Sequence, residues 1–338
     1  MGNSAIIFCA LIGGKWCSLK CYTWAEARLK TIYGDRFLEG ELVVPTCQGK
    51  EKHVDIVVSP WIEGVTLDRY IDSLVEKNDI EKLNSLSARF DRMALDLLQR
   101  DVAHVDITCE NIIVDECGQL HLIDFDASYT PLIAETTSSE LGTAAYQHPL
   151  RTTKDFDHTI DDYSLALIST ALSAIALDPT LYNLYKSEDG LLYNPNEATT
   201  RRSEPLAKTF ELFARHGKPF AYAIAQQLTL TSVALPNLAR LMHCKVEGVH
   251  CAAVPTSTFS RDGRWGFLND FNRQVIPPIF DKALPFNENY AAVRIGPYWH
   301  YIDPRCQVVI NCHQYEAIKS FRNGAGRGLK GGVWCVIE

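Results

Sequence analysis

The chain has 338 residues, 46% of them hydrophobic and 22% charged, with a formal net charge of −8 at pH 7. That length suits two or three domains of ordinary globular composition. The acidic balance argues against nucleic acid as the main partner, because binding a phosphate backbone needs a concentrated basic surface.

No stretch reaches the ~18 consecutive apolar residues of a membrane span. The longest apolar run, Leu165 to Leu177, contains Ser169, Thr170 and Ser173 and reads as a buried core helix. The start, MGNSAIIFCALIGGK, has neither a basic leader nor a small-residue cleavage site, so no secretory signal is expected. Ser4 stands too early for the myristoylation pattern. The 11 cysteines are odd in number, scattered through apolar runs and never spaced as CxxC. Reduced core thiols in a cytoplasmic protein are expected, rather than a disulfide or zinc framework.

From Ser4 to Val58 short β-like runs dominate. SAIIFCAL and WCSLKCY flank a Gly13-Gly14-Lys15 turn, which is a hairpin signal. A helical stretch is expected from Thr23 to about Leu38, then a strand pair, ELVV and HVDIVV. From Leu67 to about Arg100 apolar residues recur at helical spacing: Leu67, Ile71 and Leu74, then Phe90, Met93, Leu97 and Leu98. Two short apolar runs, NIIVD and LHLIDF, flank a turn at Glu116-Cys117-Gly118. The pattern is helical again from Asp161 to about Leu241. A polar bridge, His250 to Asp262, precedes a β-rich end.

That end repeats itself. GRWGFLND, PYWHYIDP and GVWCVIE place Trp265, Trp299 and Trp334 at intervals of 34 and 35 residues, each followed by an apolar pair. VIPPIFD (Val275–Asp281) matches VINCHQYE (Val309–Glu316) with one insertion, and Phe286 matches Phe321. A fixed period with matched aromatics signals stacked supersecondary units. These units resemble WG repeats, a β-rich family found in many bacterial proteins. The first keeps Trp265-Gly266, the second reads Trp-His and the third Trp-Cys. The three tryptophans are expected to pack, and the repeats to recruit a protein partner or substrate.

The chemistry concentrates in HVDITCENIIVDECGQLHLIDFD, His104 to Asp126. A hairpin between NIIVD and LHLIDF brings its two ends together, so Asn111 and Asp124 converge. Asn and Asp oxygens suit Mg²⁺, and Asp106 stands nearby as a carboxylate able to orient or accept a proton. Metal plus a separate carboxylate is what phosphoryl transfer from a nucleotide needs.

The same stretch resembles the protein-kinase catalytic loop, H-x-D-x-x-x-x-N, with a D-F-G-type motif beyond it. The resemblance implies Asp106 as catalytic base, Asn111 as a Mg²⁺ ligand and Asp124 as the main Mg²⁺ ligand. It implies Lys20, in WCSLKCY, as the lysine on the ATP phosphates, with Glu26 as its candidate ion-pair partner. VSPWIEG (Val58–Gly64) resembles the hinge that recognises adenine, through Pro60, Trp61, Ile62 and Glu63. GTAAYQHP (Gly142–Pro149) resembles the end of an activation segment, with Thr143 as the threonine that contacts the catalytic aspartate. Asp162 matches the buried aspartate that pins the catalytic-loop backbone.

Departures from the family pattern are specific. Val105 stands where an arginine would bind a phosphorylated loop, Asp126 replaces a glycine, and Leu150 replaces a glutamate. Only Gly2 remains of the glycine-rich loop, so either the natural chain starts upstream or the first strand is absent.

The implied fold is α+β: a two-lobed protein-kinase-like fold with a small β-rich N-lobe (1–61) and a helical C-lobe (62–242). A linker (243–262) and a WG-repeat region (263–338) follow. The implied activity is that of an ATP- and Mg²⁺-dependent Ser/Thr protein kinase, without nucleic acid or membrane as partner. A pseudokinase scaffold that binds partners without phosphotransfer is the alternative, and a small-molecule kinase shares the same core.

Overall fold

The computed structural model describes residues 5–23, 27–45, 49–133, 135–249 and 255–337. It is a mixed α/β structure with sheets at the N-terminal end, helices in the middle and a β-rich C-terminal region. The chain divides into two compact units. The first comprises residues 1–70, 100–142 and 152–161, and the second comprises 71–99, 143–151 and 162–338.

In the first unit β1 (Ala5–Ile12) and β2 (Lys15–Tyr22) form the expected hairpin. Gly13 and Gly14 make its turn at φ 56° and 76°, a region that glycine enters without steric cost. Helix α1 runs only from Arg28 to Tyr33, shorter than the stretch from Thr23 to Leu38 that the sequence suggests. Gly34 ends it at φ 55°. Phe37 and Leu38 then pair with Val57 and Ile56, as part of β3 (Phe37–Pro45) against β4 (Glu51–Pro60). The four strands lie in the order β1-β2-β4-β3, with β1 at an edge. Strand alternation gives the sheet two faces. Tyr22 and Val57 pack with Leu29 and Tyr33 of α1 on one, while Cys21, Val54 and Ile56 cluster on the other.

Strand β5 (Val65–Thr66) leads into α2 (Leu67–Glu76). The long helical pattern from Leu67 is interrupted after this helix. Asn78 takes φ 50°, and the Asp79 side chain caps α3 (Ile80–Leu98) by accepting from the Lys82 amide. β6 (Ile112–Val114) and β7 (Leu120–Leu122) form the expected second hairpin and join β5 in a small sheet.

In the second unit α4 (Asp162–Leu177) is buried along nearly its whole length, as its apolar sequence suggests. It is followed by α5 (Thr180–Tyr185), α6 (Pro195–Thr199), α7 (Glu204–Arg215), α8 (Pro219–Gln227) and α9 (Leu238–Glu247). No helix among the described residues is long and apolar enough to cross a membrane.

The β-rich end starts inside the stretch read as a polar bridge, since β8 (Ser257–Arg261) already pairs with β9 (Arg264–Leu268). β10 (Gln274–Phe280) completes a three-stranded sheet. The next sheet holds β11 (Lys282–Ala283), β12 (Ala291–Ile295), β13 (Tyr298–Ile302) and β14 (Val308–Cys312). The last holds β15 (Ala317–Ile318), β16 (Gly326–Lys330) and β17 (Val333–Ile337). Trp265, Trp299 and Trp334 therefore occupy equivalent strands β9, β13 and β17. Their packing is unequal: Trp299 is buried, whereas Trp334 is 41% exposed.

The repeated aromatics explain themselves by contact. Phe267 meets Phe286 at 4.8 Å between ring centres, and Tyr301 meets Phe321 at 5.5 Å in the next unit. Gly266 is needed because a Cβ there would lie 2.6 Å from the Ile276 carbonyl oxygen. The nine described cysteines form no disulfide, but Cys9 and Cys117 are exposed rather than core residues.

Candidate active site

The candidate site is assembled within the first unit. Lys20 lies in β2, paired with Ile7 on one side and Val57 on the other. Asp124 follows β7 by two residues in a left-handed conformation, φ 65°. The two residues are 104 positions apart in sequence, and Lys20 Nζ donates to Asp124 Oδ1 at 2.5 Å. A second carboxylate, Asp126, stands 2.8 Å from the same ammonium. Burial pulls the Lys20 ammonium down, but the charges of Asp124 and Asp126 outweigh it and hold it above the ordinary lysine value.

Asp126 is in turn fixed by tyrosines. Its Oδ1 accepts from the Tyr22 hydroxyl at 2.8 Å and the Tyr33 hydroxyl at 2.6 Å. Tyr33 Oη also accepts from the Phe125 amide at 3.2 Å. Tyr22 shares a strand face with Lys20 because they are two residues apart. That spacing was legible in WCSLKCY, although what the hydroxyl would meet was not.

Asp106 and Asn111 meet within the loop. Asn111 Nδ2 donates to the Asp106 main-chain oxygen at 2.9 Å and to its Oδ2 at 3.2 Å. The Thr108 hydroxyl accepts the Asn111 amide at 3.2 Å and ties off the turn between them. The Ile123 amide donates to the Asn111 carbonyl at 3.0 Å, which links the loop to the residue before Asp124.

The aspartate that pins this loop is not the expected Asp162. The buried carboxylate of Asp161 accepts the amides of His104 at 2.5 Å and Val105 at 2.8 Å. Asp162, the first residue of α4, accepts the Leu235 amide at 3.3 Å instead. Val105 takes φ 79°, a costly conformation for a β-branched residue, and the Asp161 contact holds it there. His104 is fixed from its ring as well, with Nε2 donating to the Ile123 carbonyl at 2.7 Å and the ring edge-on to Phe125.

Pro60 ends β4, and the Trp61 amide donates to the Trp16 carbonyl at 3.1 Å, with Ile62 and Glu63 following in an irregular segment. Thr143 belongs to the second unit, ahead of a single 3₁₀ turn at Ala144–Tyr146. Glu26 and Gly2 lie outside the described residues. One carboxylate that sequence reasoning missed is Glu140. Desolvation of its carboxyl, then the charge of Asp106, hold it above the usual value against the pull of Arg28.

The donor set suits a hard cation. With Nδ2 of Asn111 engaged on Asp106, its amide oxygen is the acceptor left for a metal, and the Asp124 side chain is 44% exposed. Among the described residues no three His, Cys, Asp or Glu side chains are grouped to hold a metal by themselves. Mg²⁺ does not require such a group, since one or two protein oxygens complemented by nucleotide phosphates and water are enough.

Comparison with known proteins adds two findings. The model of the WG containing repeat family matches residues 265–299. Over 104 residues the chain is 31% identical to the serine/threonine-protein kinase PrkC of Bacillus subtilis (strain 168). That similarity covers 30% of this chain and 16% of the Bacillus protein, so the match spans a small part of the relative's length.

Proposed function

We propose that the chain transfers the terminal phosphoryl group of Mg²⁺·ATP to a serine or threonine hydroxyl of a protein. The observation that carries this reading is the junction of Lys20 with Asp124 at 2.5 Å, in the unit that also holds the Asp106–Asn111 pair. An ammonium for phosphate oxygens, two oxygen donors for a metal and a further carboxylate are the parts that phosphoryl transfer uses.

In this reading Lys20 orients the nucleotide phosphates. Asn111 and Asp124 hold Mg²⁺, which when bound neutralises charge on those phosphates. Asp106 accepts the proton of the attacking hydroxyl, and the segment Pro60–Glu63 meets the adenine with its backbone. The similarity to a serine/threonine kinase supports a hydroxyl of a polypeptide as acceptor. The WG repeats supply a surface for a protein partner or substrate.

The test is transfer of labelled γ-phosphate from ATP to the chain itself or to a generic acceptor such as casein. Label on serine or threonine, lost in Asp106→Asn, is the expected result. A second reading, a scaffold that binds partners without phosphotransfer, is favoured by one observation: both carboxylates of the Asp124–Asp126 segment already lie on Lys20. Absence of label with the fold intact would select it.

A further inference from the structure

Lys20 stands between two carboxylates of unequal character. Its ammonium is 2.5 Å from Asp124 and 2.8 Å from Asp126, whose side chains are 44% and 21% exposed. Asp126 faces Lys20 with Oδ2 and accepts from the hydroxyls of Tyr22 and Tyr33 on Oδ1. Burial first, and the negative charge of Asp126 second, push both hydroxyls far above the ordinary tyrosine value, so both remain protonated donors. Tyr33 is also held from the other side, since its oxygen accepts the Phe125 amide. Asp126 is thus clamped by strand β2 and helix α1 at once. Asp124 is tied to Lys20 and has no tyrosine clamp among the described residues.

Helix α1 reads RLKTIY and carries no carboxylate. It reaches the site through Tyr33, whose hydroxyl donates to Asp126. We infer that Asp126 is the fixed counter-ion that positions Lys20, and that Asp124 is the exchangeable one, released to a divalent cation when nucleotide binds. The use made of Lys20 rests on the phosphotransfer reading, whereas the pairing rests on geometry alone.

Electrostatics gives the division its purpose. One ammonium between two carboxylates leaves a negative charge in excess, which favours a cation at the more exposed Asp124. A cation there repels Lys20, and the attraction of Asp126 keeps the ammonium in place. Asp126 is therefore a positioning residue.

The experiment reads the Lys20 ammonium directly by heteronuclear NMR of its Nζ, assigned with Lys20→Met, because an ordered ion pair slows exchange of the ammonium protons. The signal is expected in the wild-type chain and in Asp124→Asn, and is expected to vanish in Asp126→Asn. Glu26→Gln should leave it in place. Persistence in Asp126→Asn, or loss in Glu26→Gln, would overturn the assignment. Should Asp126→Asn fail to fold, Tyr33→Phe decides. Faster ammonium exchange is expected there, and an unchanged signal would count against the proposal.

A parallel titration with Mg²⁺·ATP separates the two claims. About tenfold weaker binding in Asp126→Asn is expected, the loss of one charge-assisted hydrogen bond. If the wild-type chain bound no nucleotide, the phosphotransfer reading would fall, and the NMR comparison would still decide which carboxylate holds Lys20.

Discussion

The imidazole of His300 donates from Nε2 to the carbonyl oxygen of Ala214 at 2.8 Å, with the histidine fully buried. His300 occupies the position that Gly266 holds in the preceding repeat. There a glycine is required by the close approach of β10, while in β13 the same position carries a side chain that reaches the end of α7. A departure from the repeat signature thus becomes a contact within the second unit.

That contact makes stability depend on pH. Burial pushes the His300 imidazole down to about 4, because the charged form is poorly solvated there. In the unfolded chain it titrates near ~6.5. Between these values the unfolded state binds more protons, so stability rises with pH and is complete above the unfolded value. Urea denaturation should show stability falling by up to ~3 kcal/mol from this group as pH drops from neutral toward 4. His300→Gln should flatten that part of the profile.

Asp161→Ala is expected to destabilise the first unit by about 2–4 kcal/mol, since two buried amides lose their acceptor. The loop carrying Asp106 should lose its conformation at Val105, and the proposed phosphotransfer should fall more than stability alone explains. Asp162→Ala removes the contact to Leu235 instead and should leave the His104 and Val105 amides protected in hydrogen exchange.

Gly266→Ala should destabilise the first repeat by ~1–3 kcal/mol, because the added Cβ would meet the Ile276 carbonyl at 2.6 Å and the Phe259 ring at 2.8 Å. Chemical denaturation followed by tryptophan fluorescence checks it, with Gly263→Ala as a comparison whose strain is conformational, at φ 75° with nothing within 4 Å.

The parts of this account legible in the sequence are those with a local signature. The Gly13-Gly14 hairpin, the second hairpin beyond Asn111 and the tryptophan period each follow from turn chemistry or spacing within a few residues. The pairing of Lys20 with Asp124 was not legible, since motif order offered Glu26 as the partner of Lys20 and only the fold brings two residues 104 positions apart together. Asp161 and Asp162 are the same residue type side by side, and only the point where α4 begins decides which reaches back to His104. The tyrosine clamp on Asp126 was hidden for a similar reason. A hydroxyl has no pattern in sequence, and Tyr33 comes to the site only because Gly34 stops α1 where it does. Likewise β8 carries too few apolar residues to read as a strand, and its pairing with β9 supplies what its own sequence does not.

Calorimetric titration of ATP, with and without Mg²⁺, into the wild-type chain and Asp124→Ala tests whether the site binds nucleotide through a metal held by Asp124. Binding that requires Mg²⁺ and is lost in the variant is the expected result. ATP binding indifferent to both Mg²⁺ and Asp124, or no binding by the folded wild-type chain, would contradict it.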